Sequence, residues 1–282
     1  MARVSFEGAK RVAIGLGWIL LFVGIGVGVI WGASELVPGW GGQEWSIART
    51  GIFEVLGFGL ATWIVGRVLK RYSWSELGWR RPAVVPWLHG IAIGALMASL
   101  AIGLAVLLDG ARVRVTGDWS AWPRIGVPLV IGLIFAALGE ELGFRGFPLR
   151  RFSDVFGVLP AMLLLAVLFG LLHAKNPSAT VFSTVNVALA AIWLSVAFFS
   201  AGGMALAWGA HFGWNAGLAI LFDAPVSGYA FQVPVVEYAS GSHAWVDGGA
   251  FGPEGGLVST ISLFAGTLYL LTRKGAFEDA AL

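Results

Sequence analysis

The run IGVPLVIGLIFAALG (125–139) contains no charged residue, and EELGFR (140–145) follows it at once. Extended to Phe144, this run reaches the ~20 residues that a helix needs to cross the hydrocarbon core of a bilayer. The whole chain has the same character: of 282 residues, 57% are hydrophobic and only 12% are charged, and the mean hydropathy is +0.81. A soluble domain carries roughly a quarter charged residues. The composition therefore indicates an integral membrane protein, and the sequence places two glutamates, Glu140 and Glu141, directly after an apolar run.

Further apolar runs occur along the whole chain, and their patterns are helical rather than alternating. Backbone groups at membrane depth must be hydrogen-bonded without water, which favours helices for such spans. We therefore predict an all-α fold, a polytopic transmembrane helical bundle that forms a single integral-membrane domain over 1–282. The candidate spans, about eight, are 12–32, 50–69, 86–108, 125–144, 156–175, 179–200, 203–222 and 257–272.

Basic residues predict the orientation, because cytoplasmic loops are enriched in Lys and Arg. Such residues precede span 1 and follow spans 2, 4 and 8, whereas loop 223–256 has none. We therefore expect a multi-pass protein of the cell membrane with both termini in the cytoplasm and loop 223–256 outside. Arg112, Arg114 and Arg124 disagree with this orientation, because it puts them outside.

Several classes of function are excluded or disfavoured by composition. The chain has no cysteine, which rules out disulfides, thiol nucleophiles and cysteine-ligated zinc. No basic run suggests binding to nucleic acid. The apolar region near the N-terminus is about twenty residues long, too long for a typical cleaved signal peptide, so we predict an uncleaved first span.

The charged cluster at the end of span 4 divides into two parts. Glu141 and Arg145 are one helical turn apart and can pair, whereas Glu140 points about 100° away and has no partner in its own helix. An interfacial helix end with charges that reach the headgroups is the alternative interpretation. Glu54, in span 2, is a lone acid near Arg49 and could belong to a structural ion pair.

Polar residues inside later spans favour a chemical role. His173 shares a helical face with Phe169, and His211 and Asn215 are one turn apart in a region, 176–222, that has no Asp, Glu, Lys or Arg. A carboxylate can take a proton from water, an imidazole can hold that water or protonate a leaving amine, and a carboxamide can stabilise an oxyanion. No Ser or Cys stands in a nucleophile motif, so water is the natural nucleophile. Glu140, His173 and His211 could instead bind a catalytic zinc ion.

These patterns resemble a known family. EELGFR (140–145) is similar to the E-E-x-x-x-R motif of the CPBP intramembrane proteases, which include CAAX prenyl endopeptidases and bacteriocin-processing and self-immunity proteins. FGLLH (169–173) resembles the family's F-x-x-x-H, and HFGWN (211–215) resembles its H-x-x-x-N/B. DGGAFGPEGG (247–256) is similar to sequence that precedes the last span in bacterial members.

The resemblance implies an intramembrane endopeptidase whose catalytic core is 125–222. It implies that Glu140 activates water, that His173 helps to hold it, and that His211 and Asn215 form an oxyanion hole. Glu141 and Arg145 would support and shape the site. A metal-free mechanism without a cofactor is favoured, with zinc as the alternative. The expected partners are a peptide or membrane-protein substrate and the lipid bilayer.

The sequence is also compatible with two other functions. The chain could bind peptides or act in self-immunity without hydrolysis, or Glu140, His173 and His211 could form the relay of a proton-coupled transporter.

The predicted depth of His173 in the membrane differs from that of Glu140. A straight span from Phe156 would carry His173 ~25 Å in, towards the outer face. Glu140, in contrast, is expected nearer the cytoplasmic side.

Overall fold

The computed structural model describes residues 2–39, 41, 45–117 and 119–273, with side chains from Glu7 onwards. Most of it is helical. The helices are α1 (Ala2–Leu36), α2 (Ser46–Ala61), α3 (Val84–Asp109), α4 (Trp122–Phe144), α5 (Phe147–Phe156), α6 (Val158–His173), α7 (Val181–Phe199), α8 (Gly203–Ala216), α9 (Ala244–Asp247) and α10 (Leu257–Thr272). Helices α2 and α8 continue as π-helical segments over Thr62–Leu69 and Gly217–Leu221.

The predicted fold class is confirmed, because each predicted span coincides with a helix and most of these helices are apolar. In the part of the chain that the structure describes, five stretches are long and apolar enough to cross a membrane, namely Glu7–Leu36, Ser46–Leu69, Val84–Asp109, Trp122–Phe156 and Val181–Phe199. Helices α6 and α10 are apolar but shorter. The molecule is a helical membrane bundle.

Span 4 ends at residue 144 as predicted, and the clearest addition to the predicted spans is a short helix between spans 4 and 5. Helix α4 ends at Phe144, and a separate helix, α5, begins at Phe147 with Pro148 in its first turn. Proline fits there because the first turn of a helix has no intrahelical partner for its N–H. Gly157 then separates α5 from α6 with a φ of 88°, a conformation that suits glycine. Span 5 therefore begins at Val158 rather than Phe156.

Helices α2 and α4 are parallel and in close contact. A Cβ atom on Gly51 would lie 2.4 Å from the backbone nitrogen of Ala136, and one on Gly132 would lie 2.9 Å from that of Ala48. In a membrane, such small residues allow helix backbones to approach and so to pack by van der Waals contact. The contact points advance together along both helices: 48 meets 132, 51 meets 136, 54 meets 139 and 58 meets 143.

Helices α3 and α8 pack in the same way, and this contact positions the middle of α8. A Cβ atom on Gly94 would lie 2.1 Å from the carbonyl oxygen of Ala210, and one on Gly213 would lie 2.3 Å from that of Ile91. Because the backbones touch on both sides of His211, that residue has a fixed depth and rotation within the bundle.

The loop between α8 and α10 is tied to the bundle. Strands β1 (Arg112–Val115) and β2 (Val236–Ala239) form an antiparallel pair that joins it to the α3–α4 connection. The Nδ1 atom of His243 contacts Asp109 at 2.7 Å, and the Nδ2 atom of Asn186 donates to the backbone oxygens of Glu254 and Gly256 at 2.9 and 2.8 Å. The loop therefore has a defined conformation against the helix ends.

Candidate functional site

A cavity of about 460 Å³ lies between α2, α4, α6, α7, α8 and the α8–α10 loop. Four residues that were predicted to be catalytic, from three separate spans, line it: Glu140, His173, His211 and Asn215. The fold thus brings the three motifs together around one space. Their catalytic roles stay predictions.

The two adjacent glutamates have opposite environments. The side chain of Glu141 is fully buried, and its Oε1 atom accepts from Arg145 at 3.1 Å and from Nδ1 of His211 at 2.9 Å. The side chain of Glu140 is 30% exposed and faces the cavity, where its Oε2 atom lies 3.7 Å from Nε2 of His211. The imidazole of His211 therefore lies between two carboxylates, one structural and one open to the cavity.

Arg145 is buried and fixed from three directions. It pairs with Glu141, donates to the backbone oxygen of Ala191 at 3.3 Å, and places its guanidinium 4.6 Å from the ring centre of Phe169. The same phenyl ring lies 4.6 Å from the imidazole of His173 and 6.3 Å from that of His211. Phe169 is thus the apolar centre that holds the cation and both imidazoles in their relative positions.

His173 is the last residue of α6, and its hydrogen bond fixes its tautomer. Its Nδ1 atom lies 2.8 Å from the backbone oxygen of Phe169. A carbonyl oxygen can only accept, so Nδ1 carries the proton and the Nε2 atom of the neutral ring is an acceptor. Such a ring can hold a water molecule by accepting a hydrogen bond from it.

The sequence predicted that His173 and Glu140 lie at different depths in the membrane, yet both line the same cavity, because the cavity is elongated. It extends from Ser46, the first residue of α2, to Glu140 near the end of α4. It is also lined by Tyr229 from the α8–α10 loop. Residues at different depths therefore share it.

Two acidic residues that line the cavity were not among the predicted site residues. Glu254, in the loop segment 247–256, accepts from Nε1 of Trp214 at 2.8 Å and from the hydroxyl of Ser227 at 3.0 Å. It is almost completely buried and forms part of the cavity wall. The sequence signal was present, since this segment contributed to the family resemblance, but its position over the site depends on a loop conformation that no local pattern encodes.

Glu54 is the second of these acids, and it reaches the cavity from α2. It lies against α4 at Gly139, where an added Cβ atom would be 2.5 Å from the Cβ of Glu54 and 2.9 Å from its Oε2. Glu54 forms no hydrogen bond or ion pair with any residue in the described part of the chain, so a structural pair with Arg49 is not supported. The sequence did contain a signal for Glu54, because an acidic residue inside an apolar span normally faces a cavity or a partner.

The zinc alternative can be compared with the arrangement of possible ligands. A catalytic zinc site needs three protein ligands around one point. Among residues 2–39, 41, 45–117 and 119–273, no three His, Asp or Glu side chains converge in that way. Glu140, His173 and His211 therefore do not form a preorganised zinc site, and we derive no step through a metal.

Comparison with known families agrees with the site's composition. The family described as type II CAAX prenyl endopeptidase Rce1-like matches residues 122–217, which run from the start of α4 to the end of α8 and contain all three motifs. The resemblance to the CPBP/CAAX protease family is confirmed. At the level of the family, the match supports a CAAX-type intramembrane protease, with a peptide as substrate and a membrane as environment. None of the curated proteins matches the chain significantly.

Proposed function

We propose that this chain is an intramembrane endopeptidase in which Glu140 activates water for attack on a peptide bond. The observation that carries the proposal is the position of Glu140. It has no partner in its own helix, and it faces a cavity that His173, His211 and Asn215 also line. A carboxylate in that setting can act as a general base.

In the proposed reaction, water loses a proton to the carboxylate of Glu140 while its oxygen bonds to the carbonyl carbon of the substrate. The electron pair of the carbonyl double bond moves to its oxygen. The other O–H group of the water donates a hydrogen bond to the Nε2 atom of His173, which orients the attack. Nε2 is free to accept because the Nδ1 atom of His173 is bonded to the backbone oxygen of Phe169. Holding water between two acceptors favours the geometry of attack.

His211 and Asn215 are proposed to stabilise the oxyanion. The Nδ1 atom of His211 donates to Glu141, so Nε2 is the nitrogen available to the cavity. A ring with protons on both nitrogens donates from Nε2, and the amide of Asn215, one turn further along α8, supplies a second donor. One such donor contributes about 3–4 kcal/mol to stabilisation of the transition state. Glu141 and Arg145 act on the reaction by holding His211.

The proposal also includes the extent of the catalytic core, the class of substrate and the orientation of the chain in the membrane. The catalytic core is 125–222 within one integral-membrane domain, the substrate is a peptide or membrane protein, and both chain termini lie in the cytoplasm. The basic residues at the helix ends and the absence of Lys and Arg from loop 223–256 support this orientation.

The proposal is tested by Glu140→Gln in lipid vesicles that contain a library of membrane-embedded peptides, with the products identified by mass spectrometry. Glutamine keeps the shape of the side chain but cannot take the proton, so we expect kcat to fall by about 10²–10⁴-fold. Glu237→Gln, which changes an exposed acid on β2, is the matched control and should cleave like the wild type.

Cleavage by Glu140→Gln at the rate of the wild type would overturn the mechanism. A second arm adds a strong chelator to the wild type. The metal-free version predicts unchanged cleavage, and a loss that added zinc restores would overturn that version while leaving the protease itself in place.

A further inference from the structure

A second cleft, apart from the proposed active site, lies between α1 and α5. Its volume is about 400 Å³. Among the described residues, its lining consists of three cations, Lys10, Arg11 and Arg151, together with Glu7 and Ile14. The cleft is therefore basic. The active-site cavity has the opposite character, because its lining in the described part of the chain contains acids but neither Lys nor Arg.

The cleft lies at the level of the lipid headgroups. The apolar run of the first span begins at residue 12, directly after Lys10 and Arg11, so these two cations mark the edge of the hydrocarbon core. Helices α1 and α5 touch immediately beyond the cleft, since a Cβ atom on Gly15 would lie 2.8 Å from Cγ2 of Val155. A ligand in the cleft is therefore held at the membrane surface rather than deeper in the bundle.

The cations of the cleft have no acidic partner in the described part of the chain. None of the acids there, the one in the cleft included, forms an ion pair with Lys10, Arg11 or Arg151. Arg11 donates to the backbone oxygen of Asp154, whose carboxylate pairs instead with Arg150 at 3.2 Å. The Nε atom of Arg151 is buried and has no hydrogen-bond partner among the described residues. A buried donor of this kind normally has a partner, so the cleft has room for an anion.

The face of α1 that carries Lys10 and Ile14 continues as a shallow groove. Gly17, Gly24 and Gly28 follow Lys10 at spacings of seven, seven and four residues, which keeps them near one face of the helix. All three glycines are exposed, and a Cβ atom added to any of them would meet open space. Because this surface faces lipid and has no side chains at these positions, a hydrocarbon chain can lie close to the helix backbone.

We propose that the cleft binds an anionic phospholipid, with its phosphate among Lys10, Arg11 and Arg151 and an acyl chain along the groove of α1. Guanidinium groups match phosphate oxygens with paired hydrogen bonds, and an ammonium group adds a compact charge. Basic residues at this level attract anionic lipids. A free phosphate ion has the same charge chemistry, but it makes no use of the groove. In the predicted orientation, the lipid belongs to the cytoplasmic leaflet.

The experiment uses the whole chain, stripped of lipid in a neutral detergent and titrated with phosphatidylglycerol or phosphatidylcholine that carry the same acyl chains. Native mass spectrometry counts the bound lipids, and thermal unfolding reports the stabilisation that binding to the folded state produces. We expect one phosphatidylglycerol to bind at least about 10-fold more tightly than phosphatidylcholine. Glycerol 3-phosphate has the anion without the acyl chains, so it should compete only at a concentration more than about 100-fold higher.

Substitutions locate the bound lipid. Lys10→Gln changes an exposed residue and should weaken phosphatidylglycerol binding about 5-fold. Lys10→Gln/Arg151→Gln removes two charges from the cleft and should weaken it by about 10–30-fold. Arg81→Gln is the matched control, because it removes an exposed charge at the same end of the bundle but outside the cleft, and it should bind like the wild type. Unfolding without lipid shows whether each variant is folded.

Each outcome supports or overturns the inference. A loss of phosphatidylglycerol binding in the two cleft variants but not in Arg81→Gln supports it. Equal affinity for the two lipids would overturn it, as would undiminished binding by Lys10→Gln/Arg151→Gln. An equal loss in Arg81→Gln would mean general attraction to a basic surface rather than a site. Competition by glycerol 3-phosphate at the concentration of the lipid would mean a site for soluble anions and would overturn the assignment to a lipid.

Discussion

At the scale of single residues, the central feature is that two adjacent glutamates do different things. A rotation of about 100° between successive residues of a helix is enough to separate them. Glu141 turns into the bundle and holds Arg145 and His211, whereas Glu140 turns into the cavity. This division was predictable in part, because the i, i+4 spacing identifies Glu141 as the paired acid. The contact between Glu141 and His211 spans 70 positions of sequence and could not be predicted from spacing.

Substitution of Arg145 should be much more harmful than simultaneous removal of both charges. Arg145→Met removes the guanidinium from the fully buried Glu141, to which only His211 then still donates, and we expect a loss of about 3–5 kcal/mol in the free energy of unfolding. The double variant Arg145→Met/Glu141→Gln removes both charges and should recover most of that loss. Unfolding in mixed micelles measures both. The idea fails if the single and double variants are equally destabilised.

At the scale of helices, the position of the site depends on close contact between parallel partners. The α2–α4 contact brings Glu54 to Gly139, and the α3–α8 contact fixes His211. Hydropathy predicted where the spans lie, because the bilayer imposes a length and a polarity on each of them. It could not predict which spans are neighbours, since lipid-facing and helix-facing apolar residues look alike in a membrane protein. Helix α5 was not among the predicted spans, because its two arginines and one aspartate do not form an apolar run.

The α2–α4 contact can be tested with two glycines of the same helix. An added methyl group at Gly51 would meet the backbone of Ala136 at 2.4 Å, whereas Gly59 has no other side chain or neighbouring helix within 4 Å of that position. Gly51→Ala should therefore cost about 1–3 kcal/mol through overpacking, and Gly59→Ala should be neutral or stabilising by up to about 1 kcal/mol. Thermal unfolding in micelles compares them, and equal effects would contradict the close contact.

At the scale of the whole molecule, the site is assembled from distant parts of the chain. Helices α2, α4, α6, α7 and α8 and the α8–α10 loop all contribute to one cavity. The motifs identified the contributions of α4, α6 and α8, because their polar residues stand out in apolar surroundings. Glu54 and Glu254 required the three-dimensional structure, since each reaches the cavity through packing between elements. The match to the family likewise covers only residues 122–217, so the walls from α2 and the loop lie outside it.

The orientation of the whole molecule gives the last prediction, and the absence of cysteine makes it easy to test. Ser75 lies in the segment between α2 and α3, beside several basic residues, and Ser242 lies in the α8–α10 loop; both are exposed. Because Lys and Arg are retained on the cytoplasmic side, Ser75 should face the cytoplasm and Ser242 the outside. In intact cells, a membrane-impermeant maleimide should therefore label Ser242→Cys, and should label Ser75→Cys only after permeabilisation. These matched substitutions differ only in location, so the reverse pattern would mean that Arg112, Arg114 and Arg124, rather than the larger group of basic residues, mark the cytoplasmic face.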